Sequence, residues 1–195
     1  MYKIEKYIKI DKNQVFTVKW NELEKRKNEL DEVSGLYFYH VNNKLKYVGL
    51  SDNLWNRFNG GYLKEDTKQH INPKLMQLIT SNSSVVEVIF APLDKYLLKE
   101  QETLWIHEYI PEFNEKENPR YEIHPIQKVI GRIVNSSNKE WSFNEMREYL
   151  FNKWWGKVSY ERIDEALANK QFHLSNYCKT SQKKKTLKSK KKKTA

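Results

Sequence analysis

Residues 35–57 read GLYFYHVNNKLKYVGLSDNLWNR. Two runs rich in aromatic and β-branched residues, Leu36 to Val41 and Leu45 to Leu50, flank Asn42, Asn43 and Lys44. Asparagine tolerates the positive φ of a tight turn, so the pattern predicts a β-hairpin. Ser51 follows as a predicted N-cap for a helix carrying Leu54, Trp55, Arg57 and Phe58. The hairpin sets Tyr37 and Tyr47 on neighbouring strands, and the helix then brings up Arg57. Two phenols and a guanidinium so arranged suit a phosphate.

These residues resemble the GIY-YIG nucleases. The first motif of that family stands as Gly35-Leu36-Tyr37 and the second as Tyr47-Val48-Gly49, with Arg57 ten residues after Tyr47. A second block, LLKEQETLWIHEYIPEFN from Leu97 to Asn114, is similar to the family's helix with its metal-binding glutamate and Pro-x-x-Asn ending. Glu102 precedes Ile106 by four residues, Pro111 by nine and Asn114 by twelve. Between the blocks, His70-x-x-x-Lys74-Leu75 resembles the segment that supplies a histidine in some homing-type members. The resemblance spans Ser34 to Asn114. In two places the chain departs from the family: Gly61 stands one turn past the arginine, where many members carry histidine or tyrosine, and Leu50 stands where some carry lysine. Tyr62, Tyr39 and His40 lie near the first of these gaps in sequence or in the hairpin.

The resemblance implies a metal-dependent DNA endonuclease of homing, restriction or mobile-element type, hydrolysing a phosphodiester with Mg²⁺ or Mn²⁺. The implied site is Tyr37, Tyr47, Arg57, His70, Glu102 and Asn114, with Glu102 as the metal ligand, Tyr37 as the base and Tyr47 orienting water or phosphate. An oxygen ligand suits a hard divalent cation, and an arginine offers a permanently charged fork to a phosphate. Alternatives are a structure-selective repair nuclease and a nucleic-acid-binding protein that keeps the scaffold without cleaving. Taken singly, the tyrosines read as half-buried packing, Arg57 as a surface cation, His70 as a loop or cap residue and Asn114 as a turn residue. Glu102 shares a helical stripe with Leu98 and Ile106, where a carboxylate needs a cation beside it; a lysine or arginine meets that need as well as a metal does.

With 195 residues the chain has room for a catalytic domain and a small second one. Mean hydropathy is -0.87, and no apolar run approaches the ~18 residues of a membrane span. The N-terminus MYKIEKYIKI has no apolar signal core. The chain is therefore expected to be intracellular, in the cytoplasm or at the nucleoid, or nuclear in a nucleated cell, with DNA as partner and no membrane. Its one cysteine, Cys178, excludes an internal disulfide and a thiolate zinc site. The net charge of +10 sits in the tail: Lys179 to Ala195 holds nine lysines and no acid, leaving 26 basic residues against 25 acidic ones elsewhere. Such a run is expected to be disordered and to attract a polyanion.

Taken in order, residues 1–33 form an N-terminal extension with short strands around Tyr2 to Ile10 and Val15 to Trp20, then a helix carrying Leu23 and Leu30. Residues 34–117 form the nuclease domain. There, Asn59-Gly60-Gly61 ends the first helix, Asn72 caps another with Pro73 first, Ser84 to Phe90 reads as a strand and Pro92 to Tyr109 as a helix. Residues 118–178 open on a linker punctuated by Pro119 and Pro125. Helices follow over Ile126 to Val134, Ser142 to Trp155 and Ser159 to Ala168, with a Ser142/Glu145 capping box and a core of Trp141, Trp154, Trp155 and Phe172. This region is either a DNA-binding module or a helical cap on the core. Residues 179–195 are the lysine tail. The fold class expected is α/β (α+β): a small mixed or antiparallel sheet flanked by helices, then a helical C-terminal region.

Overall fold

The computed structural model describes residues 10–61, 72–81, 85–137 and 139–168. They fall into two compact units, one up to Glu115 and one from Lys116 on. His70, Tyr62, Phe172, Cys178, the lysine tail and the strand expected around Tyr2 lie, wholly or nearly so, outside the described residues.

The hairpin turn is closed by two residues. Asn42 and Asn43 both take positive φ, 50° and 58°, the mirror-image turn whose twist suits paired strands. Strand β2 (Gly35–Val41) therefore pairs with β3 (Lys44–Ser51) directly from Val41↔Lys44. Lys44, expected in the loop, opens β3 because the asparagines complete the turn without it. The register shifts between Tyr39↔Tyr47 and His40↔Leu45, which leaves Lys46 as the extra, bulged residue.

With β1 (Phe16–Lys19) and β4 (Val86–Pro92), the hairpin forms a four-stranded sheet in the order β1-β4-β2-β3. Every pairing is antiparallel. Both faces are covered, which is why β2 reads as a near-continuous apolar run rather than an alternating one. One face presents Tyr37, Tyr39, Val88 and Phe90 to Leu23, Leu30, Leu54, Phe58, Leu75 and Ile79. The other presents Leu36, Phe38, Val48 and Ala91 to Leu98 and Ile106. Leu23 and Leu30, seven residues apart, are fully buried on a 3₁₀ segment (Trp20–Arg26) running into the short helix α1 (Lys27–Leu30). Residues 16–33 are thus built into the sheet unit.

Three helices complete this unit. Helix α2 (Leu54–Gly61) is capped by Asn53, whose side-chain oxygen accepts from Asn56 N at 2.9 Å. Ser51, expected as the cap, ends β3 instead and closes a turn onto Asn53, accepting from its amide and donating to its carbonyl. Helix α3 (Pro73–Ser81) starts as its sequence predicts, with Asn72 accepting from the amides of Lys74 and Leu75. The helix expected from Pro92 begins later: β4 runs to Pro92, a 3₁₀ turn follows at Lys95–Leu97, and α4 spans Leu98–Tyr109. Pro92 has no amide to donate and so suits the last residue of a strand better than a helix interior.

In the second unit, α5 (Ile123–Ser136), α6 (Phe143–Lys153) and α7 (Tyr160–Ala168) bury Ile126, Val129, Ile130, Met146, Leu150, Trp154 and Ile163. Pro125, expected in the linker, lies in the first turn of α5, where its missing amide has no intrahelical partner to lose. The capping box is complete. Ser142 Oγ accepts from Glu145 N, and the Glu145 carboxylate accepts from Ser142 N at 2.9 Å. Trp141 and Trp154 are buried as expected, but Trp155 is 75 % exposed. The helix ends at Lys153, Trp154 caps it, and the next residue turns outward. Among the described residues, no helix is long and apolar enough to cross a membrane.

Glu145 yields a test of the cap. Its hydrogen bonds to Lys139 and to Ser142 hold the carboxyl down at about 2, against an ordinary 4.5. A carboxylate depressed in the folded state adds stability that is present above its unfolded value and lost as the pH falls through its folded one. Gln keeps the reach to the Ser142 amide, so Glu145→Gln isolates the charge. Its urea midpoint should fall below that of the parent at pH 6 and converge with it toward pH 2; an equal gap at both would count against the charged cap.

Candidate active site

The hairpin's pleat decides which side chains meet. Cross-strand partners project from the same face, so Tyr37↔Gly49 and Tyr39↔Tyr47 put three phenols and one glycine on the α2 side of the sheet. Tyr37 is 1 % exposed, and its ring occupies the space a side chain at 49 would take. A Cβ on Gly49 would sit 2.6 Å from Tyr37 Cε2 and closer still to Cζ and Oη. Gly35 is constrained likewise, since a Cβ there would lie 2.6 Å from the Ala91 carbonyl oxygen of β4. Both glycines of the two tripeptides therefore have a steric reason to be glycine. Phe58, edge-on to Tyr37 at 5.2 Å between centroids, and Tyr39, edge-on at 6.0 Å, fix the ring from the sides.

Arg57 comes from the first turn of α2, oriented by the Asn53 cap. Its Nε donates to Tyr37 Oη at 3.0 Å. Tyr47 lies beside them, its ring centroid 6.2 Å from that of Tyr37. Burial pushes the Tyr47 phenol well above its ordinary value; Tyr37 and Glu102 push the same way, Arg57 opposes, and a hydrogen bond with Tyr37 favours the protonated form. Tyr47 is thus held as a proton-bearing donor, while the Tyr37 oxygen accepts from a cation.

Glu102 reaches this cluster from α4 on the far side of β3, and its field is felt at Tyr47. The side chain is 12 % exposed, and its Oε2 accepts from Lys99 Nζ at 2.8 Å, the lysine itself being 71 % exposed. Lys99 is the cation that meets the need of this carboxylate, and its three-residue spacing from Glu102 on the helix is the sequence signal for the pair. Asn114 lies apart from the phenols in function: its Oδ1 accepts from Val48 N at 2.8 Å and its Nδ2 donates to Val48 O at 2.7 Å. Phe113 N donates to Lys46 O at 3.0 Å, and Lys46 Nζ meets Glu112 at 2.6 Å. The Glu112–Asn114 segment thereby pins β3 on both sides of Tyr47. Asn114 is a positioning residue.

His70 lies outside the described residues, as does Tyr62. His40 is half-buried and faces away from Tyr39 by strand alternation; burial lowers its imidazole, with Glu87 across the sheet opposing. It does not join the phenols. Among the described residues there is no group of three or more His, Cys, Asp or Glu able to hold a metal. A single carboxylate still fits a hard divalent cation that keeps most of its waters and shares substrate oxygens, and Glu102 is the acid so placed.

The arrangement assembles four complementary groups: an acceptor phenol, a donor phenol, a guanidinium and a carboxylate. Together they can receive an anion at Arg57, orient it through Tyr47 and carry a cation at Glu102. Comparison with family models, with curated proteins and with solved structures finds no match to this chain.

Gly49→Ala tests the seat of Tyr37. Overpacking of a closed core typically costs about 1–3 kcal/mol, and here the obstructed ring has aromatic neighbours on two sides. The variant should lose stability in that range by denaturant unfolding. A midpoint unchanged from the parent would show that the ring can move aside.

Proposed function

We propose that the unit up to Glu115 hydrolyses phosphodiester bonds in DNA with a divalent metal, as a GIY-YIG endonuclease of homing, restriction or mobile-element type. The observation that supports this reading is the cluster of Tyr37, Tyr47 and Arg57, with Glu102 from a separate stretch of sequence near enough for its charge to act on Tyr47. A purely structural core has no use for a guanidinium and a mostly buried carboxylate near two neighbouring phenols, since desolvating each charge is costly.

Arg57 binds a non-bridging phosphate oxygen, and its charge stabilises the extra negative charge of the transition state. Because its Nε also contacts Tyr37, the same cation favours negative charge on that phenol oxygen. Tyr37, as the phenolate, then accepts the proton of the attacking water, whose oxygen bonds to phosphorus as the bond to the sugar oxygen breaks and that oxygen leaves with the electron pair. Tyr47, kept protonated, donates to Tyr37 and holds it in line. A divalent metal on Glu102 would supply charge neutralisation at the leaving oxygen. Lys99 occupies Glu102 until then and, being largely exposed, is free to turn outward.

A second reading, nucleic-acid binding without cleavage, draws on that same Lys99–Glu102 pair, which already satisfies the carboxylate. Cleavage of supercoiled plasmid in Mg²⁺ or Mn²⁺ separates the two. We expect Arg57→Ala and Glu102→Ala each to lose on the order of 10²-fold or more in rate with mobility-shift binding retained. Tyr37→Phe should lose a similar factor through the missing base, on the order of 10²-fold or more. Tyr47→Phe should slow the reaction without moving the pH midpoint of the rate, because burial keeps Tyr47 protonated across neutral pH. An intact protein that binds plasmid yet leaves it uncut in both metals would favour the second reading.

A further inference from the structure

The turn between α6 and α7 carries a residue whose place is not explained by packing. Trp154 N donates to Leu150 O, Trp155 N to Asn152 O at 3.1 Å and Gly156 N to Phe151 O at 3.1 Å. The last two bonds, spanning three and five residues, are those of a Schellman C-cap whose left-handed position is residue 155. That position is normally glycine, because an L side chain there crowds its own backbone. Here it is Trp155, at φ 48°, followed by Gly156 at φ 70°.

A tryptophan in the left-handed region is an outlier even among non-glycine residues. The strain gains no burial, since Trp155 is 75 % exposed while its neighbours Trp154 and Val158 are fully or almost fully buried. Those two anchors, with Lys157 N bonded to Trp154 O at 2.9 Å, fix the turn rigidly. The indole is presented, not mobile by design. Backbone strain kept at an exposed site is a mark of function.

The chemistry around it is cationic and aromatic. Lys157 Nζ lies 5.7 Å from the Trp155 ring centroid. Arg120 is close enough to Lys157 that its charge, after partial burial, lowers the ammonium. Next to Arg120 in the chain stands Tyr121, 44 % exposed, whose carbonyl accepts from Arg162 at 3.2 Å. An exposed indole beside paired cations matches the two features that grip single-stranded nucleic acid: a π face for a base and positive charge for the adjoining phosphate.

We propose that the Trp155 turn is a nucleic-acid contact on the helical unit, at which Trp155 stacks on an unpaired base while Arg120 and Lys157 hold the neighbouring phosphate. The assignment rests on the reading that this chain binds nucleic acid, but it concerns a surface separate from the phenol cluster.

Trp155→Gly is the decisive variant. Glycine suits the left-handed cap, so this substitution should leave the thermal midpoint unchanged or raised, whereas a packing role for Trp155 demands that it fall. Binding of the full chain to a fluorescently labelled single-stranded oligonucleotide and to its duplex, without metal, is read by anisotropy. For single strands we expect roughly a five-fold or greater loss of affinity in Trp155→Gly, partial recovery in Trp155→Phe and a shallower salt dependence in Arg120→Ala/Lys157→Ala. The duplex should be affected less. Undiminished single-strand binding by Trp155→Gly overturns the proposal while leaving the nuclease reading intact. Failure of the parent to bind either oligonucleotide overturns both. Concentration-dependent self-association abolished by Trp155→Gly, with nucleic-acid binding unchanged, would instead assign the indole to contact between copies and also overturn the proposal.

Discussion

The arrangement in the sheet unit depends on one missing atom. Gly49 leaves open the patch of β3 directly opposite Tyr37, and the Tyr37 ring fills it. Only there does its hydroxyl meet Arg57 from the start of α2, and only from that side do Tyr39 and Phe58 close around it. The central strand, the first core helix and the candidate site are thus coupled through a single steric allowance. Gly35 makes the equivalent allowance toward β4, letting the hairpin and the remaining sheet approach at the head of β2.

Around that ring the electrostatics differentiate two chemically identical side chains. Tyr47 is surrounded by burial, a neighbouring phenol and a carboxylate, all of which oppose its ionisation. Tyr37 has a guanidinium directly on its oxygen. The difference arises from topology: Tyr47 sits on the edge strand next to α4, which carries Glu102, whereas Tyr37 sits on the central strand beneath α2, which carries Arg57. Environment, rather than residue type, sets the pair apart: Tyr47 resists ionisation, and Tyr37 accepts a hydrogen bond from a guanidinium.

What was legible in the sequence was mostly local. The paired asparagines announce the turn, Asn72-Pro73 and Ser142/Glu145 announce two helix starts, and the seven-residue spacing of Leu23 and Leu30 announces a buried stripe; each signal lies within a short stretch of chain and needs no distant partner. Less legible were features set by competition or by distant chain. Ser51 and Asn53 are both good caps, and β3 claimed Ser51 for its last pairing, leaving the cap to Asn53. The start of α4 could not be read because β4 extended through Pro92 to match Gly35 across the sheet. Apolarity alone places Trp155 in the core, while the helix end two residues earlier turns it outward. For the candidate site, the spacing points to Tyr37, Tyr47, Arg57 and Glu102; the fold sets the first three side by side, and Glu102 lies within electrostatic reach of Tyr47. That Asn114 acts on the backbone at Val48 depends on a contact 66 residues apart, which no spacing rule encodes.

That contact has a bearing on how molecules of this protein meet one another. Among the described residues, a sheet in the order β1-β4-β2-β3 ends on two edge strands. At one, β1 is four residues long and ends in a lysine, too short and too charged to recruit a stranger. At the other, β3 is eight residues long, the kind of border along which sheets fuse into larger aggregates. Phe113 and the Asn114 amide occupy the hydrogen-bonding groups of Lys46 and Val48 there. A segment that steadies Tyr47 therefore also acts as a selvedge, finishing the exposed border of the sheet so that it does not seek a continuation in another chain.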